Sequence, residues 1–520
     1  MRPYTMLMLS TSIRLCAGYD TGQISQILLF EDFIDRFGQT NAQGEKEFES
    51  IVSSLLVSLM SIGTLFGALI GSFFLDRWGR RKTLTFAVFW FIIGNIIQIT
   101  AMRSWVHITI GRMVAGLGVG SLSIAVPLYM SETSPKEIRG TIVASYQFLI
   151  TIGILVANLI NYGTRTIEDS DASWRIVIGI GIFFSLPLGI GIMFAPESPR
   201  WLAGKGDWEG AHLASARLRG CKDNMQDIYV LQDMQEMRES IEMQQAAGEG
   251  TWMECITGGA SGIPKLVYRT VLGCAVQFLQ QWTGVNYFFY YGATIFQAAG
   301  TEDPILVQLI LGAVNVVCTV PGLWWLERVG RRTPLFYGAL WQAVWLLIFA
   351  SIGVARPPQE NDSSGVVMIV AACMFIASFA STWGPGAWVV IGEIFPLRTR
   401  AKQASLATAF NWLGNFMIAF LTPFADSGIG FAFGFVLFGT NLAAALLIWF
   451  FCYESKGLSL EAVDTMYSEK GLKPWHSAKW VPAGYTDRKN RDEQYWIEHA
   501  HAKGTGNGEV KTTPTRLSDD

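Results

Sequence analysis

Two ionisable side chains, Asp20 and Arg112, sit inside stretches that are otherwise apolar for about twenty residues. A charge at bilayer depth costs at least ~2.5–3.5 kcal/mol on insertion scales, so such a residue is by default functional and its partner should be sought. Opposite sign makes Arg112 the natural partner of Asp20. The competing reading is a structural ion pair that never titrates. A second set is neutral: the carboxamides Gln147, Gln280, Gln281, Asn286, Asn315 and Asn411, and the indoles Trp388 and Trp412. A carboxamide both donates and accepts hydrogen bonds, and Trp offers a flat apolar face. Buried amides are costly unless paired, and a lone Gln in a membrane helix is ordinarily interhelical glue.

The elements that must position these residues are membrane helices. The chain has 520 residues, 51% apolar and only 16% charged, against about 25% charged in an ordinary globular protein. Twelve windows of spanning length follow one another: roughly 5–30, 51–75, 83–101, 105–130, 141–162, 174–195, 267–296, 304–326, 334–355, 366–392, 402–424 and 431–452. Several are rich in Gly, Ser, Asn and Gln, as are helices lining a water-filled path. The first window carries Asp20 and lacks a small-residue cleavage site, so it reads as a retained span. The fold class is therefore an all-α polytopic membrane protein with twelve transmembrane helices.

Other classes are excluded. A net charge of −3 gives no basic footprint for nucleic acid. The seven cysteines are scattered singly and the five histidines form no ligand spacing, so no metal is expected. No Walker sequence and no nucleophile–base set appears, so neither ATP nor any other cofactor is expected, and no enzyme activity. Gly116-Leu117-Gly118-Val119-Gly120 lacks the spacing of a dinucleotide loop and reads as small-residue helix packing.

Orientation follows from short loops. Arg77, Arg80, Arg81, Lys82, Lys136, Arg139, Arg328, Arg331, Arg332, Arg398, Arg400 and Lys402 lie on one side, and only Arg36, Lys46, Arg103, Arg165 and Arg356 on the other. The first side is the cytoplasmic one, which makes both termini cytoplasmic. The sequon at Asn361 then falls in an outer loop as a glycosylation acceptor. Residues 196–266 form a cytoplasmic linker in which Asp207–Arg219 and Asp227–Gln244 have helical apolar spacing. The tail, 456–520, is expected to be partly disordered.

An internal repeat divides the chain. Asp76-Arg77-Trp78-Gly79-Arg80-Arg81 recurs as Glu327-Arg328-Val329-Gly330-Arg331-Arg332, and Glu132-x-x-Pro135-x-x-x-Arg139 as Glu393-x-x-Pro396-x-x-x-Arg400. Pro196-Glu197-Ser198 recurs as Tyr453-Glu454-Ser455. Three pairs at nearly one offset mean two homologous six-helix halves, 1–195 and 267–455, a plan of many secondary transporters. Arg80, Glu132, Arg139 and Glu197 in one half, and Arg331, Glu393, Arg400 and Glu454 in the other, are expected to form charge clusters. Made in one state and broken in the other, they would act as a latch on alternating access.

These motifs, with Gly18-Tyr19-Asp20-Thr21-Gly22, Gln280-Gln281-x-x-Gly284-x-Asn286, Trp383-Gly384-Pro385-x-x-Trp388 and Pro196-Glu197-Ser198-Pro199-Arg200-Trp201, resemble the sugar porter family of the major facilitator superfamily. The match runs from about 18 to 465 and looks most like fungal high-affinity hexose transporters. The resemblance implies sugar contact by Gln147, Gln280, Gln281, Asn286, Asn315, Trp388, Asn411 and Trp412. It implies proton coupling through Asp20 and Arg112, with protonation of the acid releasing Arg112. Gly284, Gly384 and Pro385 would break or bend two spans for gating, and Tyr290 and Tyr291 would cap the site. The expected activity is proton-coupled import of a monosaccharide, above all glucose, at the plasma membrane by a monomer. A glucose sensor, a facilitated-diffusion uniporter and a carrier of another polyol-like solute stay open. Two departures stand out. Tyr453 replaces the usual Pro and should loosen the end of the last span. Arg14 lies within the first span, where snorkelling is expected to relieve it.

Overall fold

The structure, a computed structural model, describes residues 15–16, 18–41, 44–134, 139–167, 170–221, 224–248, 250–258, 262–356, 362–396, 398–458, 460–483 and 488. Arg14, Lys136, Asn361 and the side chain of Arg139 lie outside the described residues, as does 491–520.

The chain is helical almost throughout. Helix α1 covers 18–27. Helix α2 (Glu31–Phe37) and a two-residue antiparallel ladder, Gln39–Thr40 on Lys46–Glu47, close the following loop. The rest of the first half is α3 (Ser50–Trp78), α4 (Arg80–Ile99), α5 (Trp105–Thr133), α6 (Arg139–Thr164) and α7 (Ala172–Met193). The linker folds as α8 (Pro199–Gly204), α9 (Trp208–Arg219), α10 (Ile228–Ala247) and α11 (Trp252–Thr257). Both expected linker helices are present. The α9 start is fixed by Asp207, which accepts from the Gly210 N–H; at the α10 start Asp227 accepts from the Tyr229 N–H (3.0 Å); and Thr251 and Glu254 form a reciprocal capping box at the start of α11.

The second half differs from a simple helix count. Its first span is broken into α12 (Leu266–Trp282) and α13 (Val285–Ala298), because Gly284 at φ 104° cannot continue a right-handed helix. After α14 (Pro304–Val329) and α15 (Arg332–Ala355), a second broken span runs as α16 (Asp362–Ser381) and α17 (Trp383–Ile394). The break falls at Thr382, just before Gly384 and Pro385. Helices α18 (Arg400–Ile429) and α19 (Phe433–Phe451) complete the half. Part of the tail is ordered as α20 (Leu460–Ser468) and a tight turn at Pro474–Lys479.

The glycines in α5 work as the sequence suggested. A Cβ on Gly116 would lie 2.3 Å from the Met60 carbonyl oxygen, and one on Gly120 2.0 Å from that of Thr64. Helices α3 and α5 therefore touch backbone to backbone, which only glycine permits.

The two halves meet unevenly. Among the described residues the bonds joining them are Ser61 to Asn415 (2.6 Å), Ser54 to the Phe420 carbonyl (2.8 Å), the Ala293 amide to Ser25 Oγ (3.2 Å), Gln26 to the Ile305 carbonyl (3.4 Å), Asn158 to the Gln308 carbonyl (3.0 Å) and the Arg165–Asp303 ion pair (2.5 Å). All six lie between mid-depth and the end opposite the Arg-rich loops.

Tyr453 corrects the expectation of a loosened end. It is buried, receives a hydrogen bond from the Lys265 ammonium (3.0 Å) and donates to the Leu472 carbonyl (2.9 Å). Its ring packs 4.7 Å from Tyr467 on α20. Buried Arg269 pairs with Asp464 of the same tail helix and lies 4.1 Å from the Tyr467 ring. Pro would bring none of these contacts, so Tyr453 fastens the tail to the second half.

Candidate functional site

The broken span of α12 and α13 is the centre of the site. A helix that ends at Trp282 leaves unpaired carbonyls and fresh amides at mid-depth, and the flanking turns carry Gln277, Gln280, Gln281 and Asn286. All four are buried, and α18 brings Asn411 and Asn415 against them. Asn411 donates through Nδ2 to Oε1 of Gln277 (2.6 Å) and of Gln280 (2.7 Å). Gln281 donates to Asn411 Oδ1 (3.0 Å) and accepts from Asn286 (2.5 Å) and Asn415 (3.2 Å). Gln280 donates to the carbonyls of Trp383 and Gly384, both at 3.0 Å, and so spans the second helix break. The result is one connected set of carboxamides, an open ring whose bonds branch at Asn411 and Gln281, which a hydroxyl-rich ligand could enter by exchanging one amide bond for another.

The remaining candidates divide. Gln147, half-buried on α6, reaches this ring from the other half: a Cβ on Gly384 would lie 3.5 Å from its Nε2. Trp388, half-buried on α17, packs against the main apolar core. Asn315 on α14 is buried with no partner for Oδ1 among the described residues, and is not joined to the ring. Trp412 packs against a cluster of Cys16, Met60, Phe91, Ala115 and Val119, and leaves its N–H without a partner among the described residues. Gln277, Asn415 and Ser61 were not anticipated. Gln277 lies four residues before Gln281 and Asn415 four after Asn411, so helical spacing alone would have found both.

Tyr290 and Tyr291 on α13 are buried just beyond the ring. Tyr290 donates to Asn415 Oδ1 (3.1 Å), the atom that also accepts from Ser61, and Tyr291 to the Ala419 carbonyl (2.8 Å). They cover the ring on the side where the halves are joined.

Asp20 and Arg112 are each 1% exposed. Asp20 Oδ1 accepts from Gln23 Nε2 (2.6 Å), while Oδ2 has no partner among the described residues. Arg112 donates to the Met60 thioether (3.4 Å), and its Nε is likewise unsatisfied. No ion pair within 4.0 Å joins them, so the direct pairing read from the sequence is not present in this state. Two opposite charges, both buried and both incompletely bonded, form an arrangement that protonating the acid would relieve.

The Arg-rich ends repeat in detail. Arg80 holds Glu132 through Nε and Nη2, both at 2.8 Å, and Ser198 adds a hydroxyl at 2.5 Å. Arg331 holds Glu393 at 3.0 and 2.6 Å, and Ser455 adds 2.6 Å. Glu197 and Glu454 behave differently from the expectation that they pair with arginine side chains. Glu197 caps the first amides of α4 (Arg80 N, 2.9 Å), and Glu454 those of Arg331 and Arg332 (both 3.0 Å). A carboxylate on a helix N-terminus meets both the orphan donors and the dipole. Gly79 (φ 91°) and Gly330 (φ 117°) make room, since a Cβ on either would lie 2.5 Å from the capping carboxylate. Arg400 donates to the Gly392 carbonyl. Both clusters lie within one half each, so rocking the halves as rigid bodies leaves them intact.

Comparison with known proteins agrees with this architecture. The family described as "Sugar (and other) transporter" matches residues 5–467. A low-affinity glucose transporter of Kluyveromyces lactis is 39% identical over 495 residues, covering 92% of this chain and 86% of that one. A high-affinity glucose transporter of Schizosaccharomyces pombe is 40% identical over 487 residues, covering 92% and 89%. Among solved structures, the proton:xylose symporter XylE bound to 6-bromo-6-deoxy-D-glucose is similar with a TM-score of 0.73 at 25% identity, over 89% of this chain and 99% of that one. The partially occluded inward open conformation of XylE from E. coli gives 0.72 at 25% identity, over 88% and 99%.

Proposed function

Because the chain belongs to the sugar transporter family of the major facilitator superfamily, multi-pass membrane carriers rather than enzymes, we propose that it imports glucose or a closely related hexose together with protons. The carboxamide ring of Gln277, Gln280, Gln281, Asn286, Asn411 and Asn415 carries the substrate half of this reading. A pyranose offers hydroxyls that both donate and accept, and amides already bonded to one another can exchange partners with it at little net loss. Gln147 and Trp388 complete the site from α6 and α17. Asp20 and Arg112 carry the proton half. With Asp20 neutral, its attraction for Arg112 vanishes, and the balance between states shifts. No cofactor is needed, since the proton gradient supplies the drive.

We assign the Arg-rich end to the cytoplasm by the positive-inside rule, and the protein to the plasma membrane as a monomer. The described state, joined at the opposite end, is then inward-facing. Tyr290 and Tyr291 close the outer side.

Labelled glucose uptake in cells lacking their own hexose carriers, with and without a protonophore, tests the proposal. Uptake that collapses with the protonophore and is competed by unlabelled hexoses supports it. Uptake indifferent to the protonophore makes Asp20 structural and the protein a uniporter. No uptake at confirmed surface expression refutes hexose import.

A further inference from the structure

We propose that the first half carries a binding site for an anionic phospholipid, in a groove formed by the Arg-rich ends of α3, α4 and α7. The groove has a volume of about 420 Å³. Its walls are Trp78, Phe86, Phe89 and Met193, and its rim carries Arg81 and Lys82. The walls face outward: Phe89 is 55% exposed and Met193 58%. On membrane-crossing helices such a surface faces acyl chains. Trp78 packs edge-on to Phe86 with ring centroids 5.5 Å apart, so the wall is continuous between α3 and α4.

The cations are free to take a ligand. Lys82 is exposed and has no ion-pair partner among the described residues. Among the described residues the guanidinium of Arg81 makes a single long bond, 3.4 Å, to the Ala195 carbonyl. Neither Glu132 nor Glu197 competes for them: Glu132 is held by Arg80, and Glu197 by the backbone amides of Arg80, Arg81 and Ser198. Two positive charges without an ion-pair partner among the described residues, above an aromatic trough, match one phosphate-bearing headgroup above its chains.

The repeat supplies an internal control. In the second half the position of Lys82 is Thr333 and that of Trp78 is Val329. The position of Arg81 is Arg332, which is buried, donates to the Trp449 carbonyl (2.8 Å) and lies 4.6 Å over its ring. One scaffold therefore spends its cation internally, and the other presents it to the bilayer. The proposal concerns the leaflet around the protein and stands apart from substrate and proton coupling.

The test is native mass spectrometry of the purified full chain offered equimolar 1-palmitoyl-2-oleoyl phosphatidylserine and phosphatidylcholine. The expected result is preferential retention of phosphatidylserine. Lys82→Gln should lower the preference about fivefold, and Arg81→Gln about as much again, the effect of one interfacial cation each. Phe89→Ala should weaken retention of both lipids. Arg328→Gln, an exposed cation of the other half, should change nothing. Excess glycerophosphoserine, a headgroup without chains, should not displace the lipid. Equal retention of the two lipids, an equal effect of Arg328→Gln, or displacement by the free headgroup would overturn the site. Lys82 is exposed, so its variant folds and remains informative.

Discussion

The two halves descend from one repeat, yet they bury different chemistry. The first half holds its charge at depth, in Asp20 and Arg112, and spends its amides in separate local bonds: Gln23 on Asp20 (2.6 Å), Gln98 on Asn95 (3.1 Å) and Asn161 on the Gln23 carbonyl (3.1 Å). The second half pools its amides into one ring around two helix breaks. A titrating group works best where nothing else satisfies it. A polyol site works best where donors and acceptors are interchangeable. Under the proposed function coupling must cross between the halves, and Ser61–Asn415 and Gln147 beside Gly384 are contacts that could carry it.

The largest expected effects concern the braces. The Arg80–Glu132 side chains are 10% and 6% exposed, the Arg331–Glu393 side chains 16% and 27%. Removing one partner of a buried pair destabilises by roughly 3–5 kcal/mol, and exposure reduces this. Glu132→Gln should therefore lower thermal stability of the purified protein clearly more than Glu393→Gln. Equal shifts would erase the asymmetry between the ends.

Next comes the ring. Asn411→Ala orphans the buried Oε1 atoms of Gln277 and Gln280, at roughly 1–3 kcal/mol each. Uptake should show KM raised at least about tenfold, with surface expression largely kept, whereas Asn161→Ala in the first half should leave KM near wild type. A reversed order would move the sugar site out of the second half.

Tyr453→Pro should cost about 1–2 kcal/mol, from two lost hydrogen bonds and a ring contact. Limited proteolysis would report it as faster cleavage between 456 and 483. Unchanged cleavage would mean that the tail is held by Arg269 and Asp464 alone.

The smallest effect is at the closed end. Burial pushes the Asp303 carboxyl up, but hydrogen bonds from Arg165 and from the Leu306 amide outweigh it and hold the group below the ordinary carboxylate range. Its contribution is thus full above the ordinary Asp pKa of about 3.9 and lost as pH falls through the lower folded value. Arg165→Gln should shift the balance toward opening of that end by about 0.5 kcal/mol. Accessibility of a Ser54→Cys thiol to a membrane-impermeant reagent should rise about twofold. The effect should persist from pH 5 to 8, and a shift that appears only in acid would contradict the sign.

The fold was legible because its signals are long: twenty-residue apolar windows, clustered Arg and a repeat at nearly one offset. The linker helices at Trp208–Arg219 and Ile228–Ala247 followed from periodicity. The helix breaks were legible at Gly284 and at Gly384-Pro385, but not the register of the second, which falls at Thr382 rather than at the glycine. The ring was half legible. Gln280, Gln281 and Asn286 stood out by motif and Asn411 as an amide within its span, while Gln277 and Asn415, though at helical spacing from Gln281 and Asn411, lie outside the motifs. The capping roles of Glu197 and Glu454 were missed because a carboxylate near three arginines reads as an ion pair, whereas the backbone amides freed at Gly79 and Gly330 bind it instead.

The central claim is that charge in the first half drives sugar movement through the second. It is tested most directly in proteoliposomes, by measuring glucose accumulation under an imposed pH gradient for the wild type and Asp20→Asn. The account predicts that the wild type concentrates glucose, while Asp20→Asn exchanges labelled for unlabelled glucose at a comparable rate without accumulating it. Accumulation by Asp20→Asn as high as wild type would contradict it.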